Sequence, residues 1–94
     1  MVNQLGYQLL GKGWMGEAIN VFKTNVELYP QSANVYDSLA EAYEKNGKLE
    51  LARPNYEKAV QLGERNNDPN LPVYKTNFER AVEALKKNGK AEDK

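Results

Sequence analysis

The chain has neither cysteine nor histidine among its 94 residues. Without cysteine there are no disulfides and no thiolate chemistry, and cysteine usage says nothing about redox compartment. Without histidine the commonest general base and the commonest metal ligand are gone. No apolar run approaches the roughly 18 residues that a membrane span needs. The N-terminal Met1-Val2-Asn3-Gln4 shows no charged region followed by an apolar one. Neither membrane insertion nor an export signal is therefore expected. Charge of one sign is also lacking: 13 Lys and Arg are balanced by 13 Asp and Glu. Nothing global then draws the chain to nucleic acid or to an anionic membrane.

What is present is a globular composition, 40% hydrophobic and 28% charged. The length fits one domain with a modest core. Sliding the sequence along itself by 34 positions pairs Val2 with Tyr36, Leu5 with Leu39, Gly6 with Ala40 and Leu9 with Tyr43. The same offset pairs Gly13 with Gly47, Ala18 with Ala52, Phe22 with Tyr56 and Val26 with Val60. Apolar residues meet apolar ones, small meets small, and glycine meets glycine. Tyr36, Leu39, Ala42 and Tyr43 form one apolar stripe at helical spacing. Ala18, Ile19, Phe22 and Val26 form another, and Leu51, Tyr56, Ala59 and Val60 repeat it. Gly11, Gly13 and Gly47 mark the turns, and Tyr29-Pro30-Gln31-Ser32 separates the two copies with Ser32 as an N-cap.

These patterns predict helices over 3–11, 15–29, 33–46 and 49–62. Pro54 falls inside the fourth, which calls for a kink or a late helix start there. The stretch 63–70 is rich in Gly, Asn, Asp and Pro and is expected to be a loop. Asp68-Pro69 and Asn70-Leu71-Pro72 are both suitable helix starts. Tyr74, Phe78, Ala81, Val82 and Leu85 then give a fifth helix over 72–87, with a stop at Asn88-Gly89 and a disordered tail over 90–94. This helix departs from the repeat. Its plain role is to cover the open end of the stack; a sharper one is displacement by, or sharing with, another chain.

The period and the pattern Tyr36-x2-Leu39-Ala40-x2-Tyr43 followed by Ala52-x3-Tyr56 resemble the tetratricopeptide repeat. The first copy, Val2-x2-Leu5-Gly6-x2-Leu9, Ala18-x3-Phe22 and Pro30, does so too, with Val2 in place of a large aromatic. The second copy has Glu64 where the closing proline is usual. The resemblance implies an all-α fold of antiparallel hairpins stacked as a right-handed superhelix. One domain over 1–89 would hold repeats at about 1–32 and 33–66 and the capping helix. Within it, the stretches 5–10, 18–30 and 32–43 are similar to repeat tails that follow β-lactamase-related serine hydrolases in bacteria. That likeness implies an accessory or oligomerising C-terminal domain. The default compartment is cytoplasmic, or periplasmic behind an exported hydrolase.

No catalytic group stands out. Gly6 to Lys12 spells G-x4-G-K, but Gly13 replaces the magnesium-binding Ser or Thr and no strand precedes it. Ser32, Ser38, Thr24 and Thr76 have no histidine to activate them, and no spacing suits a metal. No enzyme, cofactor or metal is expected. The family resemblance implies a concave groove lined by the first helix of each hairpin. That maps onto Asn3, Gln4, Tyr7 and Leu10, then Asn34, Asp37, Ser38, Glu41, Glu44 and Lys45. The basic clamp that some members use for a terminal carboxylate is absent, because Asn3, Tyr7 and Ser38 stand there. The second groove helix is acidic. The expected partner is a neutral or basic peptide or protein, held less tightly in salt; the plain alternative is that Asp37, Glu41 and Glu44 are solvated surface. A second copy of the chain is another expected partner. Trp14, at a hairpin turn, is expected to staple the hairpin, an exposed ring there pointing instead to a contact site.

Overall fold

In a computed structural model the backbone is described for residues 3–92 and the side chains for residues 4–87. Five α-helices follow one another: α1 (Asn3–Gly11), α2 (Met15–Leu28), α3 (Ala33–Lys45), α4 (Leu49–Arg65) and α5 (Leu71–Glu92). Among the described residues there is no strand. Helices α1 and α2 fold back on each other, as do α3 and α4; α3 packs on α2 and α5 packs on α4. The architecture is the expected all-α stack of helical hairpins.

The two hairpin turns have the same construction. Gly13 and Gly47 both adopt positive φ, 83° and 76°. After α1 the Trp14 amide reaches back to the Leu9 carbonyl at 2.9 Å, and the Gly13 amide to Leu10 at 3.0 Å. After α3 the Lys48 amide bonds to Tyr43 at 2.9 Å and Gly47 to Glu44 at 3.0 Å. This paired reach-back satisfies the last carbonyls of a helix and needs a left-handed residue, which glycine supplies without a Cβ clash. The end of α4 repeats it with Asn67 (φ 51°), whose neighbour Asp68 bonds back to Gly63 at 2.9 Å. At α2 the stop comes from Pro30, whose ring disfavours helical backbone at Tyr29.

Several boundaries differ from expectation. Ser32 occupies the N-cap of α3 in extended conformation, but its side chain makes no cap hydrogen bond. Helix α4 starts at Leu49 and runs through Pro54, so there is no late start. The proline lies on an exposed face, where water can satisfy the Glu50 carbonyl that loses its helical donor. The same helix continues three residues past Leu62, because Gly63 is not a stop: it is buried beneath α5. A Cβ there would come within 3.0 Å of the Tyr74 ring and 3.2 Å of Leu71. Of the two candidate starts for α5, Asn70-Leu71-Pro72 is used. The helix passes the expected stop at Asn88-Gly89 and runs to Glu92. One glycine costs a helix only about 1 kcal/mol, and Lys90, Ala91 and Glu92 after it are good helix formers. The expected tail thus falls partly within α5; Asp93 and Lys94, like Met1 and Val2, lie outside the described residues.

The core joins every helix. Leu10 of α1, Phe22 of α2, Leu39, Ala40 and Tyr43 of α3, Tyr56 of α4 and Ala81 of α5 belong to one buried cluster. Phe22 and Tyr56, a repeat length apart, are the two largest fully buried side chains. The ring of Phe22 is seated on the backbone of α1 at Gly6, where an added Cβ would stand 2.5 Å from two ring carbons. A second cluster of Ala33, Ala59, Leu62 and Tyr74 fastens α5 to the second hairpin. The loops are tied as well, Asn66 Nδ2 donating to the Gln31 carbonyl at 3.0 Å.

Two glycine substitutions separate packing from helix propensity. Gly6→Ala should lower stability by about 1 to 2 kcal/mol, since overpacking against Phe22 outweighs the gain in propensity. Gly16→Ala, in α2 with open space around it, should raise stability by about 0.5 to 1 kcal/mol. Urea unfolding followed by far-UV circular dichroism measures both; a stabilising Gly6→Ala would refute the close seat of Phe22.

Candidate partner-binding face

Asn34, Asp37, Glu41 and Glu44 recur at three- and four-residue spacing, so one stripe of α3 carries all four. Helices α1 and α5 flank this stripe and reach it with polar side chains. From α1, the Tyr7 hydroxyl lies 3.0 Å from Ser38 Oγ and donates to Glu41 Oε1 at 3.0 Å. A phenol has one proton, so the Ser38 hydroxyl donates to Tyr7 and Tyr7 donates onward. The Tyr7 ring meets Phe22 edge-on, centroids 5.1 Å apart and planes at 64°. Its position therefore follows from the core beneath it, yet the side chain remains 39% exposed.

From α5, Asn77 Nδ2 donates to Asp37 Oδ1 at 3.0 Å. Arg80 grips the Glu44 carboxylate with two nitrogens, Nη2 to Oε1 at 2.7 Å and Nε to Oε2 at 3.1 Å. Its Nη1 donates to Asn77 Oδ1 at 2.9 Å, and its Nη2 also reaches the Tyr56 hydroxyl at 3.2 Å. Tyr56 in turn donates to Glu44 Oε1 at 2.6 Å, and its ring lies 5.8 Å from the guanidinium carbon. This planar, two-point arrangement is what an arginine makes and a lysine cannot.

The residues expected in the groove therefore have different surroundings. Asp37 and Ser38 are buried and hold internal partners; Leu10 is buried in the core. Glu44 is half-buried and neutralised by Arg80. Glu41 is half-buried and, among the described residues, accepts only from the Tyr7 hydroxyl; Asn34 is half-buried. Gln4 and Lys45 are exposed, and the side chain of Asn3 lies outside the described residues. The repeat pattern does not point to Asn77, Arg80 or Tyr56 as members of this face. Asn77 and Arg80 stand on the polar flank of the Tyr74, Phe78 and Ala81 stripe, a signal that does not say which helix they reach. Along α5 a shallow depression is lined by Glu79, Arg80, Glu83, Ala84 and Lys87.

Protonation follows the same geometry. The hydrogen bonds from Arg80 hold the Glu44 carboxyl below its ordinary value, and Glu44 in return raises that of Arg80. Burial pushes Asp37 up, against the bond from Asn77. Burial also raises Tyr7 to about 12, with the negative charge of Glu41 adding to it and the Ser38 bond opposing. Tyr56 is raised by burial and by its bond to Glu44, and Tyr74 reaches about 12 through burial and Asp68.

Elsewhere, Gly6 and Gly11 lie within α1, so the phosphate-loop look-alike has its amides committed to a helix. Lys12 lies over the Trp14 ring at 5.4 Å, and Trp14 is 52% exposed. An exposed ring is the outcome set against the expected staple. Among the described residues no three acidic side chains converge on a metal position, and no helix is long and apolar enough to cross a membrane.

The tyrosines give a pH dependence with a definite sign. Tyr7 and Tyr74 ionise near 12 when folded, against the ordinary 10.0. The unfolded phenols lose their protons first. Their contribution is complete below pH 10 and is lost as pH rises from there through about 12. Urea midpoints should fall across that window, and Tyr7→Phe should flatten part of the fall. An equal slope in Tyr7→Phe would mean that Tyr7 is not held protonated by the fold.

A family comparison corresponds to this geometry. Residues 33–65 match the family model of the tetratricopeptide repeat. The matched span is the α3–α4 hairpin from its first residue to its last. No curated protein and no solved structure matches the chain significantly. The match does not extend to the likeness with hydrolase tails. Repeats of this kind generally mediate contacts between proteins and are typically non-catalytic. The hairpin that carries the acidic stripe is the part of the chain that is similar to a tetratricopeptide repeat.

Proposed function

We propose that this chain is a non-catalytic interaction module that binds a peptide or partner domain on the face lined by α1, α3 and α5. The observation that carries the reading is the row Tyr7–Ser38–Glu41. An exposed aromatic and a half-buried carboxylate stand in fixed relation across two helices. Rigid aromatic rings offer contact area at little entropic cost, and a carboxylate adds orientation. Asn34 lies on the same stripe. Asp37, Ser38 and Glu44 support the face from below through their bonds to Asn77, Tyr7 and Arg80. Asn3 is assigned to the α1 side of the face on the resemblance alone.

The partner is neutral or basic, because Arg80 offsets only one of the three carboxylates on the stripe. Binding should weaken as salt rises. A random peptide library displayed on phage and panned against the whole chain tests this, with the bound site then mapped by amide chemical shifts. Changes should concentrate at Tyr7, Asn34, Glu41 and Arg80. Selected peptides that map to the outer surfaces of α2 and α4, or no selected peptide at all, would overturn the assignment.

A further inference from the structure

Helix α3 offers two carboxylates one turn apart, Glu41 and Glu44, and each accepts a hydrogen bond from a tyrosine on another helix. The second pair is filled from within: the Arg80 guanidinium binds both oxygens of Glu44 and lies over the Tyr56 ring. The first pair has the same chemistry and no cation. Among the described residues Glu41 has Tyr7 as its one hydrogen-bond partner and forms no ion pair. Lys45, one turn further along α3, makes none with it, and its charge acts on Glu44. The Tyr7 ring beside Glu41 is more open than its buried counterpart Tyr56.

We infer that the Tyr7–Glu41 pair is a binding site for an arginine side chain of a partner protein. The guanidinium bonds to both oxygens of Glu41 and lies over the Tyr7 phenol, as Arg80 does at Glu44 and Tyr56. The site and the guanidinium are complementary in charge, and the same molecule holds an example of the pairing at Glu44 and Arg80. A carboxylate whose geometry is fixed by a phenol accepts a planar two-point donor, and the adjacent ring adds cation–π attraction. The ammonium of lysine is compact and strongly hydrated and suits the site less well. This inference rests on the proposed binding face and specifies its ligand chemistry.

The test titrates the whole chain with N-acetyl-arginine amide, and separately with the lysine and glutamine counterparts, under amide-detected NMR. The arginine probe should bind with a dissociation constant on the order of millimolar and shift Tyr7, Ser38 and Glu41. The lysine probe should bind several-fold more weakly and the glutamine probe not measurably. Glu41→Gln, isosteric and only half-buried, should weaken the arginine probe on the order of tenfold while leaving the rest of the spectrum in place. Equal affinity for lysine and arginine, shifts confined to other surfaces, or a Glu41→Gln titration that matches the parent would each overturn the inference. If phage peptides still map to the face while the arginine probe fails, the binding face stands and this site falls. If the peptides map elsewhere, both fall.

Discussion

Two aromatic rings, Phe22 and Tyr56, hold this structure together. Both are fully buried, and both belong to a cluster drawn from all five helices. An isolated hairpin has no way to cover such a ring, since each of its helices has apolar residues directed beyond its immediate partner. The rings are accommodated because the opposing helices carry small residues: Gly6 under Phe22, and Ala40, Ala42 and Ala52 within the same cluster. The close approach of the helices, the turn geometry that permits it and the position of the outer face all follow from this matching of large with small.

The same constraint positions the binding face. Tyr7 follows Gly6 on α1, and its ring leans edge-on against Phe22, so the core sets the direction of its hydroxyl. Tyr56 has its ring in the core and its hydroxyl just beneath the polar layer, where it orients Glu44 toward Arg80. Each phenol therefore transmits the packing of the interior to a carboxylate on α3. Among the described residues no buried side-chain nitrogen or oxygen lacks a hydrogen-bond partner, so this polar layer is satisfied without a ligand. Helix α5 takes part twice, through an apolar seam with α4 at Gly63 and Tyr74 and through a polar seam with α3 at Asn77 and Arg80.

Much of the hairpin stack is legible in the sequence because it is periodic. The pairs Gly6 with Ala40, Ala18 with Ala52 and Phe22 with Tyr56 express the packing rule at one fixed offset, and Gly13 with Gly47 expresses the turns. Where a residue's role depends on a neighbouring element, local pattern misleads. Gly63 resembles a helix stop, yet it is the floor on which Tyr74 rests. The exposure of Trp14 depends on which way the turn directs the indole, and periodicity does not encode that. On the face itself, the α3 stripe is readable from spacing alone. Its occupants are not: α5 begins 38 positions after α3, outside the repeat offset of 34, so nothing in register brings Asn77 to Asp37 or Arg80 to Glu44. The apparent excess of acid on α3 was for this reason larger in sequence than it is in the folded chain.

The dependence of the whole stack on its shared aromatics is tested most directly by Tyr56→Ala, with urea unfolding followed by far-UV circular dichroism and by amide hydrogen exchange. The expected result is a loss of about 3 to 5 kcal/mol in one cooperative transition, with protection falling in both hairpins and in α5. A loss under about 1 kcal/mol, or two separate transitions in which one hairpin keeps its full protection, would contradict it.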